Sequence, residues 1–183
     1  MSTEQKTKEA LAPLPTSPAA LLEFLDALGV TYKVHDHDPI FTVEEGLHLK
    51  ASIPGVHCRN LFLRDKKKKM FLVVAANETK IDLKKISDVI GSARVSFGSG
   101  ERLWDNLGIR QGSVNPFCAM NDTDNMVKVI LDADMMAADL VNYHPMDNAQ
   151  TIGLSPADLL KFMDAIGSEF EVVDLKPAAP DLL

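Results

Sequence analysis

The sequence predicts a single α+β domain, a mixed, antiparallel-rich sheet with flanking helices. Three observations carry that expectation. Two β-branched and aromatic runs, Cys58 to Leu63 and Met70 to Ala75, are joined only by a lysine-rich turn, the pattern of a β-hairpin. Strands elsewhere do not alternate regularly with crossover helices, which disfavours a doubly wound parallel sheet. Finally, 183 residues, 46% of them hydrophobic and 25% charged, supply one sizeable core and little more.

Each element has a local cause. Residues 1–16 are polar and then punctuated by Pro13 and Pro15, and read as a flexible arm ahead of a domain over 17–175; the proline-rich end, 176–183, reads as a flexible tail. Ser17 followed by Pro18 is a cap and first helical position, and Leu21, Leu22, Phe24, Leu25 and Leu28 form an apolar stripe that stops at Gly29. Val30 to His35 alternates like a strand. Thr42, with Glu45 three residues on, is a capping box that predicts a second helix to about Ala51. After the hairpin, Ile81 to Ile90 carries apolar residues at helical spacing, Val95 and Phe97 suggest a short strand, and Gly100 to Leu107 reads as a helix closed by Gly108. The stretch from Ile109 is turn-rich and leads to an expected strand through Met120. Val127 to Leu131 is a strand, Ala133 to Asp139 a helical turn, and Val141 to His144 and the neighbourhood of Thr151 are extended. Ser155 and Pro156 open the last helix, which ends at Gly167.

Composition excludes several classes of function. No apolar run approaches the roughly 20 residues of a membrane span, and the first residues lack a signal peptide's apolar stretch, so a cytoplasmic protein with no membrane partner is expected. Cys58 and Cys118 form neither a CxxC pair nor a disulfide framework, and both read as ordinary thiols. Lys plus Arg number 19 against 26 Asp plus Glu, a net charge of −7 that argues against extensive sequence-independent nucleic-acid binding. Lys67, Lys68 and Lys69 nevertheless sit in a basic cluster, which is either a solvated turn or a local hold on a polyanion. GxGxxG and GxxxxGK[ST] are absent, and no metal site is expected: the alternating His35, Asp36, His37, Asp38 read as a polar turn.

Three segments invite chemistry. Gly112, Ser113, Val114, Asn115 and Pro116 form a turn whose backbone N–H groups could be aimed at one point, as an oxyanion requires; many surface turns look alike. Arg59 and Asn60 open an apolar strand, with the arginine either at a sheet edge or facing a cleft where its planar fork suits phosphate. In Val141-Asn142-Tyr143-His144-Pro145, His144 could bind, titrate or cap.

The order of these pieces is itself informative. PIFTVEEG, IPGVHCRNLFLRDKKKKMFLVVA, KIDLKK, IGSARVSFGS, LGIRQGSVNPF, NDT, VNYHP, LSPADLLKF and VVDL together resemble the YbaK/ProX family of aminoacyl-tRNA editing domains, and within it the free-standing prolyl-tRNA editing proteins, over roughly residues 20–175. The resemblance implies a trans-editing deacylase that hydrolyses Ala-tRNA(Pro) without a cofactor, using loop amides and assistance from the substrate's ribose hydroxyl. Its implied partners are the acceptor end of mischarged tRNA(Pro) and prolyl-tRNA synthetase. The GxxxP loop maps onto Gly112 to Pro116, and the N-F/Y-H-P stretch gives His144 a substrate-binding or water-positioning role. The family's strand lysine is replaced by Arg59, which keeps the charge but cannot present a compact ammonium. Substrate-binding positions implied on the same basis are Asn60, Ile40, Phe41, Thr42, Leu47, Met120, Asn121 and Asn142, where Ile40, Phe41, Leu47 and Met120 could equally be core. Two alternatives keep the fold: a deacylase for Cys-tRNA(Pro), and a module that binds aminoacyl-tRNA without turnover.

Overall fold

A computed structural model describes residues 12–40 and 42–177, the Val43 side chain excepted. Helix α1 (Pro18–Ala27) starts where the Ser17 side chain accepts the Ala20 amide. Strand β1 (Tyr32–Asp36) follows, then helix α2 (Val43–Ser52), opened by the reciprocal Thr42 and Glu45 capping box. Strands β2 (Val56–Asp65) and β3 (Met70–Ala76) form the hairpin. Helix α3 (Ile86–Val89), strand β4 (Val95–Phe97) and helix α4 (Gly100–Leu107) lead to a 3-10 helix (Pro116–Asn121). Strand β5 (Val127–Asp132), helix α5 (Ala133–Met136), strands β6 (Val141–Tyr143) and β7 (Gln150–Leu154), helix α6 (Pro156–Ala165) and strand β8 (Phe170–Val173) complete the chain.

The sheet is mixed, as expected, with order β1-β7-β6-β2-β3-β5-β8 and β4 on β2. Pairings β1/β7, β6/β7, β2/β3 and β2/β4 are antiparallel; β2/β6, β3/β5 and β5/β8 are parallel. Every residue of β3 is buried, because both sheet faces are covered there. Met70, Leu72, Val74 and Ala76 face the larger core with Leu21 and Leu25 of α1, Leu103 and Leu107 of α4, and Leu159 and Phe162 of α6. The alternate residues Phe71, Val73 and Ala75 face a smaller core with Ile86, Ile90 and Leu175.

Two local expectations are corrected. The strand anticipated through Met120 is the 3-10 helix, because the Asn115 side chain accepts the Cys118 amide and Pro116 supplies the first helical φ. The helix read over 81–90 shrinks to Ile86–Val89, since the Asp82 carboxylate takes the Lys84 amide and holds a turn instead. Residues 12–16, read from sequence as arm, lie on the core: Thr16 donates to Asn121 at 2.6 Å and Leu14 packs on the larger cluster. The rest of the arm, 1–11, and residues 178–183 of the tail lie outside the described residues.

Asp132, fully buried at the end of β5, ties the sheet together from inside. Its carboxylate accepts from the Ala76 amide at 3.1 Å, the Asp134 amide at 3.1 Å and the Thr79 hydroxyl. Asp132→Ala strands all three donors, so a loss of about 2–4 kcal/mol is expected, read by urea unfolding.

Candidate functional site

The outer edge of β2 is shared. Strand β6 pairs with its first two residues, Val56 and His57, while β4 pairs with Leu63 to Asp65; residues 58–61 have a strand on the β3 side alone. Where β6 and β4 diverge, helix α2 stands over the opening. A cavity of about 240 Å³ results, lined by Ile40, Gly46, Leu49, Lys50, His57, Cys58, Asn60, Asn142, Tyr143, His144 and Thr151.

The walls follow from local periodicity. Helix α2 turns Gly46, Leu49 and Lys50 inward, the spacing of one helix face. Leu47 falls on the opposite face and is 59% exposed, so it is no part of this wall. Gly46 leaves the opening free, since a Cβ there would lie only in ordinary contact with Ile40. Asn142 of β6 and His144, the residue just after the strand, both reach the cavity.

The neutral ring of His144 is held in one tautomer. Its Nδ1 lies 2.7 Å from the Gln150 carbonyl, which can only accept, so Nδ1 carries the hydrogen and Nε2 bears a lone pair. Burial lowers its pKa below the ordinary 6.5 against a raising contribution from that carbonyl, and nearby His37 and His57 lower it further. His37 packs edge-on at 5.9 Å between ring centroids; its Nδ1 donates to the Asp38 carbonyl and its Nε2 accepts from Thr151 at 2.9 Å. His57 donates Nε2–H to the Ile53 carbonyl at 3.0 Å, and burial lowers its pKa also. Burial pushes the Cys58 thiol up to about 12, so this cavity residue is protonated at neutral pH and not a thiolate nucleophile.

Asn142 is clamped. Its Nδ2 donates to the Pro54 carbonyl at 3.0 Å and the Val56 carbonyl at 3.4 Å, which fixes the amide's orientation. Glycines make room on both sides: a Cβ on Gly55 would come within 2.8 Å of Nδ2, and one on Gly153 within 2.8 Å of Oδ1. Both Asn142 Oδ1 and Asn60 Oδ1 are buried without a hydrogen-bond partner.

Of the positions singled out from sequence, the cavity gathers Ile40, Asn60, Asn142 and His144. Arg59 is elsewhere. Strand alternation sends its guanidinium to the Thr79 carbonyl at 2.7 Å, and Thr79 in turn donates to Asp132, so the arginine braces the connection after β3. Thr42 caps α2. Met120 packs on the larger core, and Asn121 donates to the Leu107 carbonyl at 2.9 Å while accepting from Thr16. Phe41 lies outside the described residues.

The Gly112 to Pro116 turn does not line the cavity and is linked to the His144 segment through Met146. Asn115, fully buried, donates to the Ser113 carbonyl at 2.8 Å and to the sulfur of Met146, while the Met146 amide donates to the His144 carbonyl. The Ser113 amide is taken by the Arg110 carbonyl; among the described residues the amides of Gly112, Val114 and Asn115 meet no acceptor. Lys67, Lys68 and Lys69 line a separate groove at the hairpin end, with Lys128 and Glu169. Lining residues that the sequence did not mark are Gly46, Leu49, Lys50, His57, Cys58, Tyr143 and Thr151; the helix phase set by the capping box could have found Gly46, Leu49 and Lys50. Among the described residues, no group of three or more His, Cys, Asp or Glu side chains is arranged to hold a metal ion, and no helix is long and apolar enough to cross a membrane.

Comparison with known proteins agrees with this architecture. The chain is 39% identical over 157 residues to the prolyl-tRNA editing protein ProX of Acetoanaerobium sticklandii, covering 85% of this chain and 96% of that one. It is 36% identical over 156 residues to the prolyl-tRNA synthetase associated domain-containing protein 1 of Bos taurus, 82% and 91% of the two chains. A solved structure described as a candidate trans-editing enzyme for prolyl tRNA synthetase shares the fold, with a TM-score of 0.64 at 17% identity over 87% of this chain and 98% of that one. Since the aminoacyl-tRNA editing domain model matches residues 37–162, a span that includes every residue lining the cavity, the chain belongs to the aminoacyl-tRNA editing domain family.

Proposed function

We propose that this protein is a trans-acting deacylase that hydrolyses Ala-tRNA(Pro), releasing alanine and restoring the 3′-hydroxyl of the tRNA. One observation carries the reading: a cavity of about 240 Å³ that ends on a histidine whose free nitrogen bears a lone pair. That volume suits a small aminoacyl group, whereas whole drug-sized ligands occupy roughly 300–1,000 Å³. Exclusion of the larger prolyl group by the walls of Ile40, Leu49 and Tyr143 supplies the discrimination.

Hydrolysis needs a water, a place for its proton and support for the developing oxyanion. His144 Nε2 holds the water and accepts its proton as the acyl carbon is attacked; the acyl C–O bond to the ribose breaks, and the proton passes to the leaving 3′-oxygen. The ribose 2′-hydroxyl assists in orienting the water. The uncommitted amides of Gly112, Val114 and Asn115 lie outside the cavity lining, and in this reading the turn, linked to the His144 segment through Met146, moves in to meet the oxyanion when the tRNA end binds. Lys50 at the mouth of the cavity takes the terminal phosphate, a role that Arg59, bound to Thr79, is not free to fill with the same nitrogen. Lys67, Lys68 and Lys69 serve as a second, more distant contact with the tRNA backbone.

The two cations are therefore expected to fail differently. Lys50→Ala raises KM for Ala-tRNA(Pro) several-fold with an unchanged unfolding midpoint, whereas Arg59→Ala lowers stability by about 1–3 kcal/mol through the lost charged hydrogen bond. Parallel kinetics and denaturation check both. Incubation with Ala-, Cys- and Pro-tRNA(Pro) tests the reading itself. Release of alanine alone supports it; release of cysteine alone transfers the activity to that ester, and binding without release of any amino acid makes the protein a carrier.

A further inference from the structure

A second hollow, of about 350 Å³, adjoins the cavity. Helix α2 gives it Glu45, His48, Leu49 and Ser52, one helical stripe, while the neighbouring stripe of Gly46, Leu49 and Lys50 faces the cavity. The stripes meet at Leu49, and Ile40 also lines both spaces. His37 is the partition: it lines the outer hollow, yet its ring meets His144 edge-on and its Nε2 accepts from Thr151, two residues of the cavity wall.

The outer hollow is rich in acceptors. It presents the Asp38 and Glu45 carboxylates, and Ser52 Oγ donates its hydrogen to the Leu49 carbonyl at 2.8 Å. Among the described residues no lysine or arginine lines it, so a phosphate would meet like charge there. Pro39, Ile40 and Leu49 add apolar surface. His48 adds an exposed aromatic face, and its ring makes no hydrogen bond among the described residues.

Such a hollow suits a flat, uncharged group that carries N–H donors on its edge. Adenine, with two apolar faces and an exocyclic amino group, is one. Position selects the same group. The terminal ribose of an aminoacyl-tRNA has three branches: the ester at the 3′-oxygen, the phosphate at the 5′-carbon and the base at the 1′-carbon. With the acyl group in the cavity and the phosphate at Lys50, the base is the branch left over, and the outer hollow lies across Leu49 from the side of α2 that carries Lys50. We propose that the outer hollow binds the adenine of the terminal nucleoside, with the base stacked on His48 and its amino group turned to the Asp38 carboxylate. This rests on the aminoacyl-tRNA reading of the cavity given above and extends it. Its consequence is selectivity: binding energy from the unreacting base holds the ester at His144, and an alanyl ester without a nucleobase lacks that hold.

The test uses two stable ligands, 3′-alanylamido-3′-deoxyadenosine and the same molecule with hydrogen in place of adenine, titrated into the intact protein by calorimetry. The adenosine ligand is expected to bind at least about 5-fold more tightly, the lower end for one base stacked on an aromatic ring. His48→Ala, an exposed change to the best helix former, should bring the ratio towards one with the unfolding midpoint retained. His48→Phe, which restores a ring face, should keep the ratio. Equal affinities in the unaltered protein, binding of neither ligand, or a His48→Ala protein that keeps the full ratio overturns the base site. Hydrolysis of Ala-tRNA(Pro) is measured on the same preparation. Release of alanine together with equal affinities overturns the base site alone, whereas preferential binding of the adenosine ligand without release from the tRNA removes the deacylase reading and leaves the base site standing.

Discussion

Replacing His144 by alanine is expected to lower kcat for Ala-tRNA(Pro) about 10²–10⁴-fold, the range over which a positioned acid or base acts, with a smaller change in KM. The expectation follows from the hydrogen at Nδ1, which the Gln150 carbonyl holds, and from the lone pair this leaves on Nε2. It also fixes a pH dependence. Burial keeps the folded pKa of His144 below 6.5, so the neutral, active form dominates at neutral pH and kcat/KM falls as pH drops through that lowered value. Stability moves with the same sign: a histidine depressed by folding contributes stability above its ordinary value and loses it as pH falls through the folded one. His57, depressed by burial as well, adds to the acid loss. His144→Gln separates the roles, because a glutamine can still hold water but takes no proton. If the variant retains full kcat and the acid limb, His144 only positions.

Gly112→Val is expected to reduce kcat/KM at least about 100-fold, the cost of losing an oxyanion donor, with the global fold retained. Crowding is not the reason, since a Cβ at Gly112 meets nothing within 4 Å. Its φ of +91° is the reason: a β-branched residue cannot hold that backbone, and the turn must rearrange, carrying the neighbouring free amides with it. Thermal unfolding and far-ultraviolet circular dichroism establish that the fold persists. Full activity in a folded Gly112→Val protein would remove the turn from the chemistry.

The elements that were legible in the sequence are those with local causes. Ser17-Pro18, Thr42 with Glu45, Ser155-Pro156 and the left-handed Gly108 after α4 mark helix ends within a few residues, and each lies where the pattern indicates. Asn115-Pro116 is the same kind of cap, so the 3-10 helix was also written in the sequence, under a glycine-rich turn that draws attention away from it. The cavity was less legible. Asn142 and His144 stand out as polar residues in an apolar strand, but Lys50, His57 and Thr151 reach the same space from α2, β2 and β7, and only the two-residue pairing of β2 with β6 brings those elements together. Arg59 shows the limit most clearly. Its sequence position beside Asn60 suggested a shared site, yet adjacent strand residues face opposite sides, and the guanidinium meets the Thr79 carbonyl while Asn60 faces the cavity.

The aminoacyl end of the tRNA is expected to enter the hollow between α2 and β6. A crystal structure of the protein with 3′-alanylamido-3′-deoxyadenosine tests it directly. The alanyl group is expected within hydrogen-bond reach of His144 Nε2, with its methyl against Leu49 and Ile40 and its adenosine towards Lys50. An alanyl group bound instead in the lysine groove at the hairpin end, or on the far side of the Gly112 turn with the hollow empty, would contradict the account.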